Sequence, residues 1–300
     1  MKHRTYSIIA AFALTLMLAA VAQALPLRTF VATTGNDAND CTFNTPCRTF
    51  AGAVAKTEPG GEITALDSGN YAVVNVDRAL TLQAAPGVHA ALGDNSATPI
   101  TINAAASDVV VLRNLFVSRV GRTPRGIVFT AGGMLHIENC IVTGFPTGIA
   151  FGGGGCTAGS CPKLFVKDTI VRNNSTGINV VGAVASLDHC RIESNSTGIH
   201  VGGPSELWVR DSVIVSSQVV GLRADAGASV KIENCSVLGN GTGIQGIQNP
   251  DGSLSSIYVS TTLISANGTG ITGGLTISFG NNRLGGNGVN GGFVQTISEQ

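Results

Sequence analysis

Aromatic residues are scarce in this chain, at 5%, and charge of either sign is thin and evenly mixed. The 18 basic and 18 acidic residues cancel to a formal net charge of zero. No basic stripe or acidic tail interrupts the mixture, so nucleic-acid binding has no electrostatic support. Beyond residue 20 no apolar run approaches the roughly 20 residues a membrane span requires. What the chain has instead is glycine, 40 of 300 residues, and an apolar content of 43% that excludes disorder.

The first residues read as a processing signal. Lys2, His3 and Arg4 give a basic start, Ser7 to Ala20 is apolar, and Ala22-Gln-Ala24 supplies a small-x-small cleavage site. Residues 1–24 are therefore expected to be a leader removed before Leu25, leaving an exported chain without a membrane span. Losing Lys2 and Arg4 leaves 16 basic against 18 acidic residues. Secretion beyond the cell and residence in a periplasm are both compatible with this.

A short phrase recurs through the second half: Asn174-Ser-Thr-Gly-Ile178, Asn195-Ser-Thr-Gly-Ile199, Asn240-Gly-Thr-Gly-Ile244 and Asn267-Gly-Thr-Gly-Ile271. Degenerate copies stand at Arg125-Gly-Ile127, Pro146-Thr-Gly-Ile149 and Val220-Gly-Leu222. Their glycines are spaced by 22, 29, 21, 23, 22 and 27 residues. A period near 22 with two insertions is the mark of a stacked-coil solenoid. A propeller blade would need roughly 40 residues or more.

The segments before these phrases align as rows: Val110 to Leu115, Leu135 to Cys140, Leu164 to Thr169, Ala185 to Cys190, Leu207 to Ser212, Val230 to Cys235 and Ile257 to Thr262. Their first and third residues are apolar, the period of a strand with one buried face. The fifth is Asn, Asp, His or Thr, and Asn and Asp tolerate the left-handed backbone of a tight bend. A second short strand follows, the Asn-x-Thr-Gly phrase is expected to make the next turn, and a third strand begins at its Ile or Leu. Stacked copies would form parallel sheets around a shared core, with right-handed crossovers. Sequons such as Asn195-Ser-Thr197 fall within the phrase, which points to backbone needs rather than glycan attachment.

On these repeats the chain resembles the right-handed parallel β-helix proteins, the architecture of pectate lyases and many secreted bacterial proteins. Phe30-Val31, Gly35-Asn36-Asp37, Pro46-Cys47-Arg48-Thr49-Phe50, Pro59-Gly60-Gly61 and Gly69-Asn70-Tyr71 add to the resemblance, which covers about residues 28 to 297. It implies an all-β single domain. Residues 25–72 would form an N-terminal cap and first coil, continuous with the coils of 73–300. Thr49 would cap a short helix over Phe50 to Lys56, stopped by Pro59-Gly60. The architecture carries little information about activity.

In-register stacking sets equivalent residues about 4.8 Å apart. The fourth row position then reads Arg113, Glu138, Lys167, Asp188, Arg210, Glu233, an alternation that avoids stacking like charges. The second position includes Phe165, Trp208 and Tyr258, three outward aromatics that could stack against sugar rings unless the insertions 152–163 and 246–256 cover them. The strand after the glycine phrase points Asn179, His200, Arg223 and Gln245 outward, with Asp225 nearby. The resemblance makes this strand a frequent place for chemistry, where His200 or Arg223 could serve a lyase as base and cation. A plain polar solvent face is the competing reading.

Missing motifs weigh against catalysis. Paired carboxylates for glycoside hydrolysis are absent from this row, which offers Asp225 alone. The paired-Asp and Gly-His-Gly motifs of polygalacturonases, and an acidic cluster at calcium-ligand spacing, are also missing. No metal and no cofactor is expected. Cys41 with Cys47 and Cys156 with Cys161 are close pairs suited to local disulfides in an exported chain. Cys140, Cys190 and Cys235 share one inward position on alternate coils, too far apart to bridge, and are expected as buried thiols. Two functions remain open: a non-catalytic protein binding polysaccharide or a surface partner along its sheet faces, favoured by these absences, and a polysaccharide lyase or hydrolase.

Overall fold

The computed structural model describes residues 24–95, 97–152 and 161–297. The expected leader lies outside the described residues except for Ala24. Among the described residues, short parallel strands stack into sheets of twelve, nine and ten strands. One coil shows the winding. Thr176–Val181 lies in the nine-stranded sheet, Val184–Asp188 in the twelve-stranded sheet and Arg191–Glu193 in the ten-stranded sheet. Thr197–Gly202 then returns to the nine-stranded sheet one rung further on. The chain is a right-handed parallel β-helix, as the repeat and the resemblance predict.

Alternation builds the core. In that coil Ile178, Val180, Ala185, Leu187 and Ile192 are buried, and equivalent residues of neighbouring coils stack on them. Each buried apolar side chain is worth roughly 1.5–3 kcal/mol. A lone coil would leave both of its faces uncovered, so the core exists only in the stack.

The single-residue bend between the twelve- and ten-stranded sheets is left-handed at every row position the sequence marks. Asn114, Asn139, Asp168, His189, Asp211, Asn234 and Thr261 have φ between 48° and 58°. The phrase bend differs from expectation. Its left-handed residue is the one before the phrase, as at Asn173, Ser194, Ser216, Gly239 and Ala266. The phrase glycine itself lies in the following strand. It is required by close approach: a Cβ on Gly177 would sit 2.5 Å from the carbonyl oxygen of Gly198. The phrase asparagines Asn174, Asn195, Asn240 and Asn267 are buried. That burial agrees with a backbone role for the sequons.

At the N-terminal end, Thr49 caps the helix by accepting from the Gly52 backbone N–H, as expected. The helix is Phe50–Val54, shorter than the expected span to Lys56. Beyond it the Lys56 and Thr57 backbone N–H groups donate to Ala53 and Val54, three residues back, so the α-helical ladder has already ended. Phe50 packs on Tyr71 and closes this end of the core.

Cys41 and Cys47 are disulfide-bonded. Cys161 is also in a disulfide, and its expected partner Cys156 lies outside the described residues. Cys140, Cys190 and Cys235 are buried free thiols. Hydroxyls fill the intervening rungs: Thr169, Ser212 and Thr262 accept from the backbone N–H groups of Cys140, Cys190 and Cys235. Among the described residues no helix is long and apolar enough to cross a membrane.

Candidate functional site

On the nine-stranded sheet, Asn179, His200, Arg223 and Gln245 stand on successive rungs in direct register. Asp225 follows the strand Val220–Ala224 and turns back toward this row. The structure joins four of the five expected residues. His200 Nε2 lies 2.8 Å from Asp225 Oδ2, His200 Nδ1 lies 2.7 Å from Asn179 Oδ1, and Arg223 Nε donates to Asp225 Oδ1 at 3.0 Å. Gln245 adjoins Arg223 in register but stays outside this network.

Burial favours the neutral form of Asp225, but hydrogen bonds from His200 and Arg223 outweigh it and hold the carboxyl below its usual range. With the Asn179 amide assigned as it stands, both ring nitrogens of His200 face oxygen. The ring can take a proton from a substrate only after one of these contacts opens. A cavity of about 380 Å³ lies over the same sheet, with Arg125, Thr130, Phe151 and Asn179 in its lining. Asn179 therefore links the cavity to the His200 network.

The twelve-stranded sheet presents the aromatic row. Phe165, Ser186, Trp208, Lys231 and Tyr258 occupy successive rungs. Trp208 is 50% exposed and Phe165 37%, so the described parts of the insertions do not cover them. The Phe165 ring does not lie flat on the sheet. His136, one rung from Phe165, stacks on it with centroids 4.8 Å apart and planes 18° apart. The faces of stacked rings on adjacent rungs must look along the solenoid axis, with their edges outward. Trp208 carries the Lys231 ammonium over its ring at 4.9 Å, also from the adjacent rung. A cavity of about 250 Å³ opens on this face, lined by His136, Phe165, Lys167, Ser186, Asp188 and Arg210 among others.

The charged row is in register from Arg113 to Glu233. Two of its steps close as ion pairs, Arg113 to Glu138 at 2.8 Å and Arg210 to Asp188 at 3.3 Å. Among the described residues Lys167 makes no ion pair. Asp188, His189 and Asp211 bring potential metal-ligand atoms within 4.8 Å of one another. The Arg210 guanidinium lies 3.3 Å from both carboxylates, so one of the two negative charges a cation would neutralise is already met.

Sequence reasoning missed the amide ladder beneath the phrase. Asn195 Oδ1 accepts from the backbone N–H and the side-chain amide of Asn174, and Asn267 Oδ1 does the same for Asn240. The signal is the Asn repeated at one position of the phrase, which sequence pattern alone does not distinguish from a turn former.

Residues 157–296 match the family model of the right handed beta helix region. The structure is similar to that of pectate lyase Pel9A, with a TM-score of 0.63 and 16% identity, covering 91% of this chain and 76% of that one. It is similar to XylC, solved with xylose, with a TM-score of 0.59 and 9% identity over 85% of this chain and 67% of that one. The enzymatically active domain of bacteriophage CBA120 tailspike protein 2 gives a TM-score of 0.51 and 14% identity over 77% of this chain and 38% of that one. Comparison with curated protein sequences returns no match. The protein is thus a right-handed β-helix of the pectate-lyase-like architecture. At these identities the likeness establishes the fold, and any activity must be argued from the site.

Proposed function

We propose that this is an exported, non-catalytic β-helix protein that binds polysaccharide along its outer sheet faces, with the twelve-stranded sheet as the main contact. The observation that carries this reading is the outward row holding Phe165, Trp208 and Tyr258, with Trp208 half exposed and a cavity opening at Phe165 on the same face. Aromatic side chains offer sugar rings a large apolar contact at little cost in side-chain freedom. The leader features and the Cys41–Cys47 disulfide support export. The pectate lyase and XylC likenesses support a saccharide as the ligand class. Retention of the mature protein on a panel of immobilised plant and bacterial polysaccharides tests the reading. Trp208→Ala should lower retention at least tenfold with an unchanged far-UV spectrum; full retention would move the contact to another face.

A second reading, a uronate-polymer lyase, draws on the contact between His200, Asp225 and Arg223 beside the nine-stranded cavity. In such a lyase His200 would take the proton beside the substrate carboxylate, and Arg223 would balance the developing negative charge. The present contacts oppose it, because Asp225 is held by both partners and His200 has oxygen at both nitrogens. Lyase turnover generates unsaturated chain ends that absorb in the ultraviolet. No such absorbance is expected on pectate or alginate. Turnover that Arg223→Ala abolishes and His200→Ala lowers would replace the binding reading with the catalytic one.

A further inference from the structure

Between the ten- and nine-stranded sheets the phrase bend forms an outer ridge along the solenoid. A cavity of about 360 Å³ opens on this ridge, with Arg119, Asn173, Ser175, Ser194, Ser196 and Gln218 as its exposed polar lining. Backbone hydrogen bonds step through these positions one coil at a time. Arg119 N donates to the Thr143 carbonyl, Ser175 N to Phe145, Ser196 N to Asn174 and Gln218 N to Asn195. The groove therefore runs four rungs, about 19 Å, from the coil of Arg119 to that of Gln218. At the Arg119 end the next coil carries Gly144, and a Cβ there would come within 3.3 Å of the Arg119 Cβ.

Among the described residues none of these six side chains has a hydrogen-bond or ion-pair partner. The charge is one-sided. No acidic residue lines the groove. Arg119, Arg122 and Arg125 stand close together in the chain, all exposed and none ion-paired among the described residues. Glu193, which adjoins Ser194 in sequence, is already held by Arg172 and Arg191.

We infer that this groove binds a phosphate monoester borne on a sugar, with the phosphate at Arg119 and the sugar hydroxyls toward Gln218. The site is separate from the aromatic row and does not depend on polysaccharide binding there.

The donor set selects the anion. A planar carboxylate is satisfied by the fork of one guanidinium, which would leave the hydroxyls and amides idle. A phosphate monoester brings three acceptor oxygens and a charge of about −1.5 to −2 at neutral pH. Its oxygens point in different directions, so a guanidinium and hydroxyls on neighbouring rungs can each meet one. A sulfate monoester has the same shape with less charge, and gains less from three unpaired arginines. Size and lining select the carrier. The cavity is larger than a phosphate group, and Ser194, Ser196 and Gln218 both donate and accept, as sugar hydroxyls require. Phe145, the large apolar residue of the lining, is 1% exposed and offers an acyl chain no surface.

Calorimetric titration of the mature protein with glucose 6-phosphate, glucose 6-sulfate, inorganic phosphate and glucose tests the site. Glucose 6-phosphate should bind saturably, at least fivefold tighter than the sulfate ester or inorganic phosphate, and more weakly as salt rises. Glucose should give no saturable heat. Arg119→Gln should weaken glucose 6-phosphate binding at least tenfold at an unchanged thermal midpoint, because Arg119 is exposed and unpaired. Arg119→Lys keeps the charge and should lose less. Arg125 lines the cavity on the nine-stranded sheet instead, so Arg125→Gln should change the affinity less than threefold. No saturable binding by the parent, unchanged affinity in Arg119→Gln, or equal losses in Arg119→Gln and Arg125→Gln would each overturn the site. Equal affinity for glucose 6-sulfate would overturn the choice of phosphate. Polysaccharide retention and its loss in Trp208→Ala are read separately, so failure of either reading leaves the other standing.

Discussion

The side-chain amide of Asn174 donates to Oδ1 of Asn195 on the next coil at 3.1 Å, and the Asn174 backbone N–H reaches the same oxygen at 3.0 Å. Asn240 and Asn267 repeat the contact at 2.9 Å for both bonds. The other amide proton goes to the preceding coil, where Asn240 donates to the Ile214 carbonyl at 3.1 Å. Asn174, Asn240 and Asn267 thereby each join three coils, with their polar atoms satisfied where no water can help.

The ladder is broken at Ser217, which occupies the position between Asn195 and Asn240. Its backbone N–H still donates to Asn240 Oδ1 at 2.8 Å, but its buried hydroxyl has no partner among the described residues. Ser217→Asn should supply the missing Oδ1 to Asn195 and remove an unsatisfied hydroxyl. A gain of about 1 kcal/mol is expected, read as a higher urea midpoint at unchanged slope. Asn195→Ala should cost more than that, because it leaves several buried groups unpaired at once. A lower midpoint for Ser217→Asn would show that Ile192, which packs beside Gly198, cannot give way.

The free thiols should be silent in the native protein. Burial pushes the Cys140 and Cys190 thiols up to about 12 and Cys235 up to about 11, so thiolate is scarce at neutral pH as well as inaccessible. A thiol reagent at pH 8 should label none of the three until denaturant is added, after which all three should react. Rapid labelling of Cys190 under native conditions would contradict its place in the core.

Lys167 lies between Glu138 and Asp188 in the stack. Lys167→Glu places three acids on consecutive rungs and should lower the thermal midpoint, with partial recovery in 0.5 M salt. The expected cost is about 0.5–1 kcal/mol, since the site is exposed. Lys167→Gln should do less and show little salt dependence. Matching midpoints for the two variants at low salt would mean that the charge alternation does not resist register slip.

The N-terminal cap should respond to acid through Asp67. Burial opposes its ionisation, but hydrogen bonds from the Thr33 hydroxyl, the Tyr71 hydroxyl and the Thr33 backbone N–H, with Arg48 nearby, hold its pKa below the usual range. The unfolded chain then binds a proton more readily than the folded one. The stabilisation is complete above the ordinary carboxylate pKa of about 4 and is lost as pH falls below it. Asp67→Asn should lower stability at pH 7 and flatten its decline between about pH 4 and pH 2. Parallel stability curves for parent and variant across that range would assign the acid sensitivity elsewhere.

The coil was legible in the sequence because its rules are local. Alternating Leu-x-Val or Val-x-Ile residues define a half-buried strand, and Asn139, Asp168 and Asn234 mark a bend that demands left-handed backbone. Repetition at a near-constant interval then turns local rules into a solenoid, since equivalent residues must stack. Register, the outward rows and the isolation of Cys140, Cys190 and Cys235 from one another followed from that stacking. What stayed hidden depended on distances between coils and on side-chain torsions. Gly177 is glycine because the Gly198 carbonyl approaches it, and Asn240 is asparagine because two other coils need its amide. Spacing marked both positions without revealing either reason. Spacing likewise put His200, Arg223 and Asp225 close together, but only the folded rotamers show Asp225 held from both sides. The same holds for Phe165 and Trp208: the sequence placed them on one face, and only the folded side chains show His136 stacked on Phe165 and the Lys231 ammonium over Trp208.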